Sequence, residues 1–428
     1  MLKKLTIRNF KAIQEMTIEF TPLTVLIGEN SCGKTTVLQA LDFLGSIVYR
    51  EIPDYFNGKG WSLEELKSQL NDGQNKPIEF ISVYEFSIEN VAEVLSWSIR
   101  IDHDNIHWII DERIVNLTTK EVLYPKEKTI KGPMMAGQSG AYAGGENAYA
   151  QDNHEIFLQA SFLKYYTWVE NNPLLAALKK FLSYSTFFGV VSPDKIRLGK
   201  NPGTVGNIGI GGEWLSAFIH HLDEGEKKDL EKAVSDFFDI KMRMVTSESG
   251  PSISLYVYEK HSEEELVIDA WHSSDGFLKI IALSAIVFQR LILRHGNSDA
   301  GIRIKYGGTF TYKGYTECNA GLILLDEIEN GINPYLTQKA IDMLRKIQTV
   351  TKRQIIVTTH SPVILNDFDH KEIIFMWKEK NGAVHSRKLF NTEEMNDTLE
   401  FLNPGEVWLN YSKDELIEKM NGNKVEKD

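Results

Sequence analysis

Gly28-Glu29-Asn30-Ser31-Cys32-Gly33-Lys34-Thr35 sets two glycines, a lysine and a hydroxyl at the spacing G-x-x-x-x-G-K-[ST], the pattern of a loop that wraps the phosphates of a nucleotide. A triphosphate needs several backbone N–H donors converging on it, and Gly28 and Gly33 let the chain close in where a Cβ would obstruct. Lys34 is expected to meet the β and γ phosphates, Thr35 to set its hydroxyl on Mg²⁺, and Cys32 to offer only its backbone. Glu29, Asn30, Ser31 and Thr36 complete the expected nucleotide-binding set. A glycine turn before a core helix would satisfy the same letters, but the flanks are those the motif requires. Leu23 to Ile27 is short, apolar and rich in β-branched residues, and Thr35 to Leu44 repeats apolar residues at helical spacing.

The second half of the chain supplies matching acids. Gly321-Leu-Ile-Leu-Leu-Asp326-Glu327 reads as a fully buried strand ending in two carboxylates, at the edge where open α/β sheets place ligands. Asp326 is expected to hold Mg²⁺ with Thr35, and Glu327 to orient and deprotonate the attacking water. Asn333 and Pro334 then open a helix running to about Ile347, and Arg353 to Thr359 forms another strand ending at His360-Ser361-Pro362. A strand, helix, strand unit of this length puts both strand ends on one edge of a parallel sheet. Lys34, Glu327 and His360 therefore form the candidate catalytic set, with His360 as sensor of the γ-phosphate.

Ser274-Asp275-Gly276 stands at the start of an apolar helix expected to end near His295. It reads either as an ordinary N-cap or as a second anion site at a helix N-terminus, and its place between the phosphate loop and the acidic strand favours the second.

The elements around these residues divide into three stretches. Residues 1–50 carry the strands Leu5 to Ile7 and Met16 to Phe20, the strand into the loop and its helix. Residues 51–200 form an insertion: Ile78 to Phe86, Leu95 to Ile101 and Ile106 to Ile110 alternate like antiparallel strands, and helical patterns run from Glu155 to Ser183 before a strand at Phe187 to Val191. Gly132 to Asn153, crowded with Gly, Ala, Ser, Gln and Asn, reads as an exposed loop. Residues 201–428 hold helices at Trp214 to Leu222 and Glu226 to Phe238, strands near 240–246, 253–258 and 265–269, and the acidic and histidine motifs. A hairpin across 301–319 is expected ahead of the acidic strand.

A chain of 428 residues is long enough for two to three folding units. Hydrophobic residues at 42% and charged residues at 25% are ordinary for a globular protein, and the longest apolar runs are too short to span a bilayer. No signal peptide is read at the N-terminus, and two cysteines make no disulfide framework, so a cytoplasmic protein with no membrane partner is expected. A net charge of −12 argues against bulk electrostatic coating of nucleic acid but leaves room for DNA contact at a local basic patch such as Lys126 to Lys131 or Lys241 to Arg243.

Taken together, these motifs resemble the ABC-type ATPase heads of the RecF, SMC and OLD-like group, especially the short-insert AAA family ATPases of bacterial anti-phage systems. Leu5 to Ile13 is similar to that group's first strand, Gly28 to Thr36 to its Walker A, and Ser274 to Gly276 to its signature. Leu325 to Pro334 is similar to Walker B with the adjoining D-loop, and Thr359 to Pro362 to the switch histidine segment. The resemblance implies an α/β fold, a P-loop ATPase head with a mixed β-sheet lobe and a helical insertion lobe. It implies ATP and Mg²⁺ as cofactors, and hydrolysis of ATP to ADP and phosphate.

It also implies a head-to-tail homodimer or higher oligomer, in which Ser274 and Gly276 of one copy close over ATP held by the other. The expected partner is a separately encoded effector, a nuclease, because the segment after Pro362 is too short for the TOPRIM domain of OLD nucleases. The alternative is a RecF-like DNA-binding ATPase of repair or chromosome maintenance. Gln69 and Gln74 lie in the interval of the family's Q-loop, but neither ends a clear strand.

Overall fold

Apolar alternation at the start of the chain produces β1 (Leu2–Phe10) and β2 (Ile13–Glu19), and the continuous run after them produces β3 (Leu23–Gly28). The computed structural model describes residues 1–70, 72–103, 108–124, 159–165, 169, 171–203, 205–288, 291–293, 302–304 and 321–422. Within them, β4 (Ile78–Ile88), β5 (Val91–Ile101), β6 (Ile109–Asn116) and β7 (Val122–Tyr124) extend β1 and β2 into an antiparallel sheet ordered β2-β1-β4-β5-β6-β7. Along β4, Ile78, Phe80, Ser82, Tyr84 and Phe86 face inward while the residues between them are half-buried, as the period of two demands.

The chain continues through β8 (Thr186–Phe188) and an antiparallel trio of β9 (Lys241–Ser249), β10 (Ser252–His261) and β11 (Glu264–Asp269). A two-stranded pair, β12 (Leu291–Leu293) and β13 (Ile302–Ile304), follows. Then come β14 (Leu322–Leu325), β15 (Gln354–Thr358), β16 (Ile373–Lys378) and β17 (Val384–Lys388). These last four join β3 and β8 in a second sheet, ordered β17-β16-β3-β15-β14-β8 and parallel except for β17.

This second sheet is buried on both faces, which is why β3, β14 and β15 read as continuous apolar runs. Leu26, Leu324 and Ile356 point into a core shared with the antiparallel sheet, α1 (Lys34–Ser46) and α2 (Pro173–Ser183). Val25, Ile27, Ile323 and Val357 point the other way, into a core with α3 (Asp275–Ala285) and α4 (Thr337–Thr351).

Buried polar side chains stitch the layers. Gln354 on β15 accepts the N–H of Leu2 and donates to the carbonyls of Leu2 and Thr21, each at 2.9 Å, so one amide ties the parallel sheet to β1. Glu112 on β6 accepts from Trp97 Nε1, Ser161 Oγ and the Phe162 N–H, pinning the segment before α2 onto the antiparallel sheet.

Several expectations change. The signature helix stops at Ala285, a 3₁₀ turn covers Ile286–Phe288, and the chain at β12 is a strand instead of the helix expected to reach His295, because a short apolar run fits either geometry. The helix after Asn333 begins as a 3₁₀ turn, Pro334–Leu336, before α4 carries on to Thr351. Short helices at Ile52–Lys59 and Leu63–Leu66 precede β4. The loop at 132–153, the Lys126 to Lys131 cluster and the 301–319 hairpin other than β13 lie outside the described residues. Among the described residues no helix is long and apolar enough to cross a membrane.

Two outcomes follow from the buried polar groups. Gln354→Ala strands three backbone groups, so the urea midpoint should fall by the equivalent of about 2–4 kcal/mol. Burial pushes the Glu112 carboxyl up from 4.5 to about 7, against the pull of its three donors. Between those values the folded chain holds a proton that the unfolded chain releases, so this group's stabilisation is full below 4.5 and is lost as pH rises through 7. Comparing urea midpoints at pH 5 and pH 7.5, Glu112→Gln should show a smaller decline than the wild type.

Candidate functional site

The site lies at the C-terminal edge of the parallel sheet, where β3, β14 and β15 end side by side. Register sets this up: Leu325 pairs with Val357, and Thr358 pairs with Leu26, so the residues following each strand emerge together. At Gly28 the chain leaves β3 with φ of +145° and passes so close to β16 that a Cβ would sit 2.0 Å from the Met376 carbonyl oxygen, so only glycine fits there.

Lys34 opens α1 and is 4% exposed. Its Nζ donates to the carbonyls of Gly28 and Glu29, both at 2.9 Å, and lies 3.7 Å from Cys32 Sγ. Burial lowers the lysine's pKa and raises that of the Cys32 thiol, which is fully buried. Cys32 is thus a packing residue. Glu29, Asn30, Ser31 and Thr35 are exposed around this buried centre and Thr36 is half-buried, leaving the loop's outer side open to a ligand.

Thr35 Oγ1 donates to Asp326 at 3.0 Å (Oδ2) and 3.2 Å (Oδ1), joining the loop to the end of β14. A hydroxyl and a largely buried carboxylate are hard oxygen donors. They fit Mg²⁺, which takes one or two protein oxygens and fills its octahedron with phosphate and water. Asp326 is held in turn by Thr358, whose hydroxyl donates to Oδ1 at 2.6 Å and accepts the Glu327 N–H at 2.9 Å. Glu327 adopts φ of +49°, the left-handed region that costs a side-chain-bearing residue energy and that recurs at functional sites. Its side chain is half-buried at the strand end.

His360 follows β15 and is half-buried. Its backbone N–H donates to Glu329 Oε1 at 2.7 Å. Burial, then repulsion from Lys34, hold its imidazole below its ordinary pKa, opposed by the carboxylates of Glu329, Glu327 and Asp326. The structure therefore brings together the phosphate loop, Asp326, Glu327 and His360.

It does not bring Ser274, Asp275 and Gly276 to that loop: among the described residues they share no hydrogen bond or ion pair with Gly28 to Thr36. Ser274 Oγ instead caps α3 by accepting the Phe277 N–H, and Ser274 and Asp275 are exposed. Gly276 packs against the turn after β14, where a Cβ would come within 2.6 Å of the Gly331 carbonyl oxygen. Gln69 lies in the loop after Leu63–Leu66 and Gln74 in the 3₁₀ turn Gly73–Asn75, and each donates to the Glu64 carbonyl.

Four side chains that sequence reasoning passed over shape the site. Thr358 bridges Asp326 and Glu327, and Glu329 holds His360. Lys279, 2% exposed, donates from α3 to the carbonyls of Glu327 (3.0 Å) and Asn330 (2.7 Å), and burial lowers its pKa to about 8. Arg197 ties the signature from the other side, bonding Asp275 Oδ1 at 2.5 Å and the Ser273 carbonyl at 3.0 Å. Lys279 had a visible signal, a lone cation inside the apolar run Phe277 to Leu283. Arg197 had none, because it arrives from 78 residues away.

A family model described as "AAA ATPase domain" matches residues 1–201, and one described as "AAA domain, putative AbiEii toxin, Type IV TA system" matches residues 214–366. The chain is 27% identical over 184 residues to Septu protein PtuA of Bacillus thuringiensis, covering 41% of this chain and 42% of that protein. It is 41% identical over 44 residues to an OLD nuclease of Thermus scotoductus, covering 10% of this chain and 8% of that one. The matches thus span less than half the length of these curated relatives. Among solved structures, the SMC head bound to the C-winged helix domain of ScpA superposes with a TM-score of 0.50 at 13% identity, covering 90% of this chain and 96% of that one, a likeness of fold. With AAA ATPase-domain models matching residues 1–201 and 214–366 and an SMC head fold around the phosphate loop, the chain is similar to AAA ATPase-domain proteins and shares the fold of SMC heads.

Proposed function

We propose that this chain binds ATP with Mg²⁺ and hydrolyses it, and that two copies joined head to tail on ATP control a separately encoded effector, a nuclease, in anti-phage defence. The observation that carries the ATPase reading is the hydrogen-bonded series Thr35, Asp326, Thr358, Glu327, which joins the loop to the acidic strand end across 291 residues of sequence. The defence reading draws on the resemblance of the motifs and on the stretch shared with Septu protein PtuA.

In this mechanism the loop amides and the N-terminus of α1 cradle the phosphates, and Lys34 turns from the carbonyls of Gly28 and Glu29 to the β and γ oxygens. Thr35 and Asp326 would hold Mg²⁺, which when bound offsets the charge on the phosphates. Glu327 takes a proton from the attacking water. His360, kept neutral by burial, donates a hydrogen bond to the γ-phosphate.

Ser274 is exposed and Gly276 half-buried at the start of α3, neither bonded to its own loop, so in this reading they close over nucleotide held by a second copy while Arg197 holds Asp275 beside them. ATP then acts as a link between chains, and hydrolysis releases it. The effector reads the joined state.

Lys34→Ala should weaken ATP binding, measured by equilibrium dialysis, on the order of 10-fold or more. Glu327→Gln should bind ATP as the wild type does, lose hydrolysis by roughly 10²-fold or more, and elute as a dimer when ATP is present. Wild-type turnover by Glu327→Gln would remove Glu327 from the role of base. A chain that stays monomeric with ATP in that variant would remove the head-to-tail arrangement.

A further inference from the structure

Glu329 lies in the turn after β14, beyond the two carboxylates to which the acidic motif draws attention. Its two oxygens have different surroundings. Oε1 accepts the His360 backbone N–H at 2.7 Å, whereas Oε2 is sealed from solvent and, among the described residues, has no hydrogen-bonding partner. An ionised oxygen without a donor is expensive to bury, and groups of this kind are kept where a site uses them.

Its charge is offset at longer range. Lys34 and Lys279 feel its field, which favours their protonated forms, and so does the His360 imidazole, which burial holds below its ordinary pKa all the same. The bond to His360 spans 31 residues and joins the turn that carries Glu327 to the end of β15.

The backbone N–H is what Glu329 grips, so the contact sets the direction in which the peptide at His360 leaves the strand, and with it where the imidazole points. Thr358 fixes the other end of the same junction through Asp326 and Glu327. The neighbouring peptides have their own acceptors, the Leu26 carbonyl for the Thr359 N–H and Thr359 Oγ1 for the Ser361 N–H, so the His360 N–H between them is the one that Glu329 holds.

We propose that Glu329 is a positioning residue of the hydrolytic site, whose carboxylate holds the His360 backbone so that the imidazole is aimed at the terminal phosphate. This rests on the role given to His360 under Proposed function. Glutamine keeps a carbonyl oxygen able to accept the same N–H, while alanine removes the acceptor.

The test pairs Glu329→Ala with Glu329→Gln and reads three quantities: amide hydrogen exchange at His360 in the nucleotide-free protein, the Kd for ATP, and kcat. Glu329→Ala should expose the His360 amide to exchange and lower kcat on the order of 10- to 100-fold, with Kd for ATP little changed. Glu329→Gln should restore both the protection and most of the rate.

A merely structural carboxylate would lower the urea midpoint without splitting kcat from Kd. Full turnover by Glu329→Ala, or equal loss in both variants, would overturn the proposal. A wild-type chain that binds no ATP would instead overturn the ATPase reading, a result distinguishable because exchange at His360 is read without nucleotide.

Discussion

A single hydroxyl, that of Thr358, is the junction on which the site depends. It donates to Asp326 and accepts from the Glu327 amide, and Asp326 in turn receives the hydroxyl of Thr35 from the phosphate loop. None of these contacts is possible unless β3, β15 and β14 run parallel in a register that ends them at one level. The apolar faces of those strands, buried in two separate cores, supply that alignment. Packing on both sides of the sheet thereby sets the distance between a hydroxyl at position 35 and a carboxylate at position 326.

A second regularity concerns buried cations. Lys34 is held by the carbonyls of Gly28 and Glu29, Lys279 by those of Glu327 and Asn330, and Arg353 by those of Tyr184 and Leu322. Carbonyl dipoles partly repay the cost of taking a charge out of water without using up a carboxylate. Asp326 is thereby left to receive the Thr35 hydroxyl from the loop. The same lysine that is solvated in this way, Lys279, locks the turn carrying Glu327 to the helix carrying the signature.

The phosphate loop, the acidic strand and the strand leading to His360 were legible because each is a contiguous run with a period and a punctuating residue. Their convergence was legible too, since a strand, helix, strand unit permits a right-handed parallel crossover. Less legible was the end of α3. Ile280 to Val287 is apolar on every side, so periodicity carries no sign of where helix yields to strand. The partners of the site were harder still. Arg197 and Glu329 are surface-type residues in sequence, and what makes each of them matter is a contact to a segment far along the chain.

By itself, then, the sequence determined that the chain holds a nucleotide-type loop, two acids at a strand end and a histidine at another, because local spacing and hydrophobic period dictate strands, turns and helix starts. Tertiary structure alone decided that Thr358 bridges the acids, that Glu329 grips His360, and that Ser274 and Asp275 stay exposed and apart from their own loop. The reason is physical: hydrogen bonds of about 3 Å between residues tens to hundreds of positions apart depend on strand register and layer packing, which no window of the sequence contains.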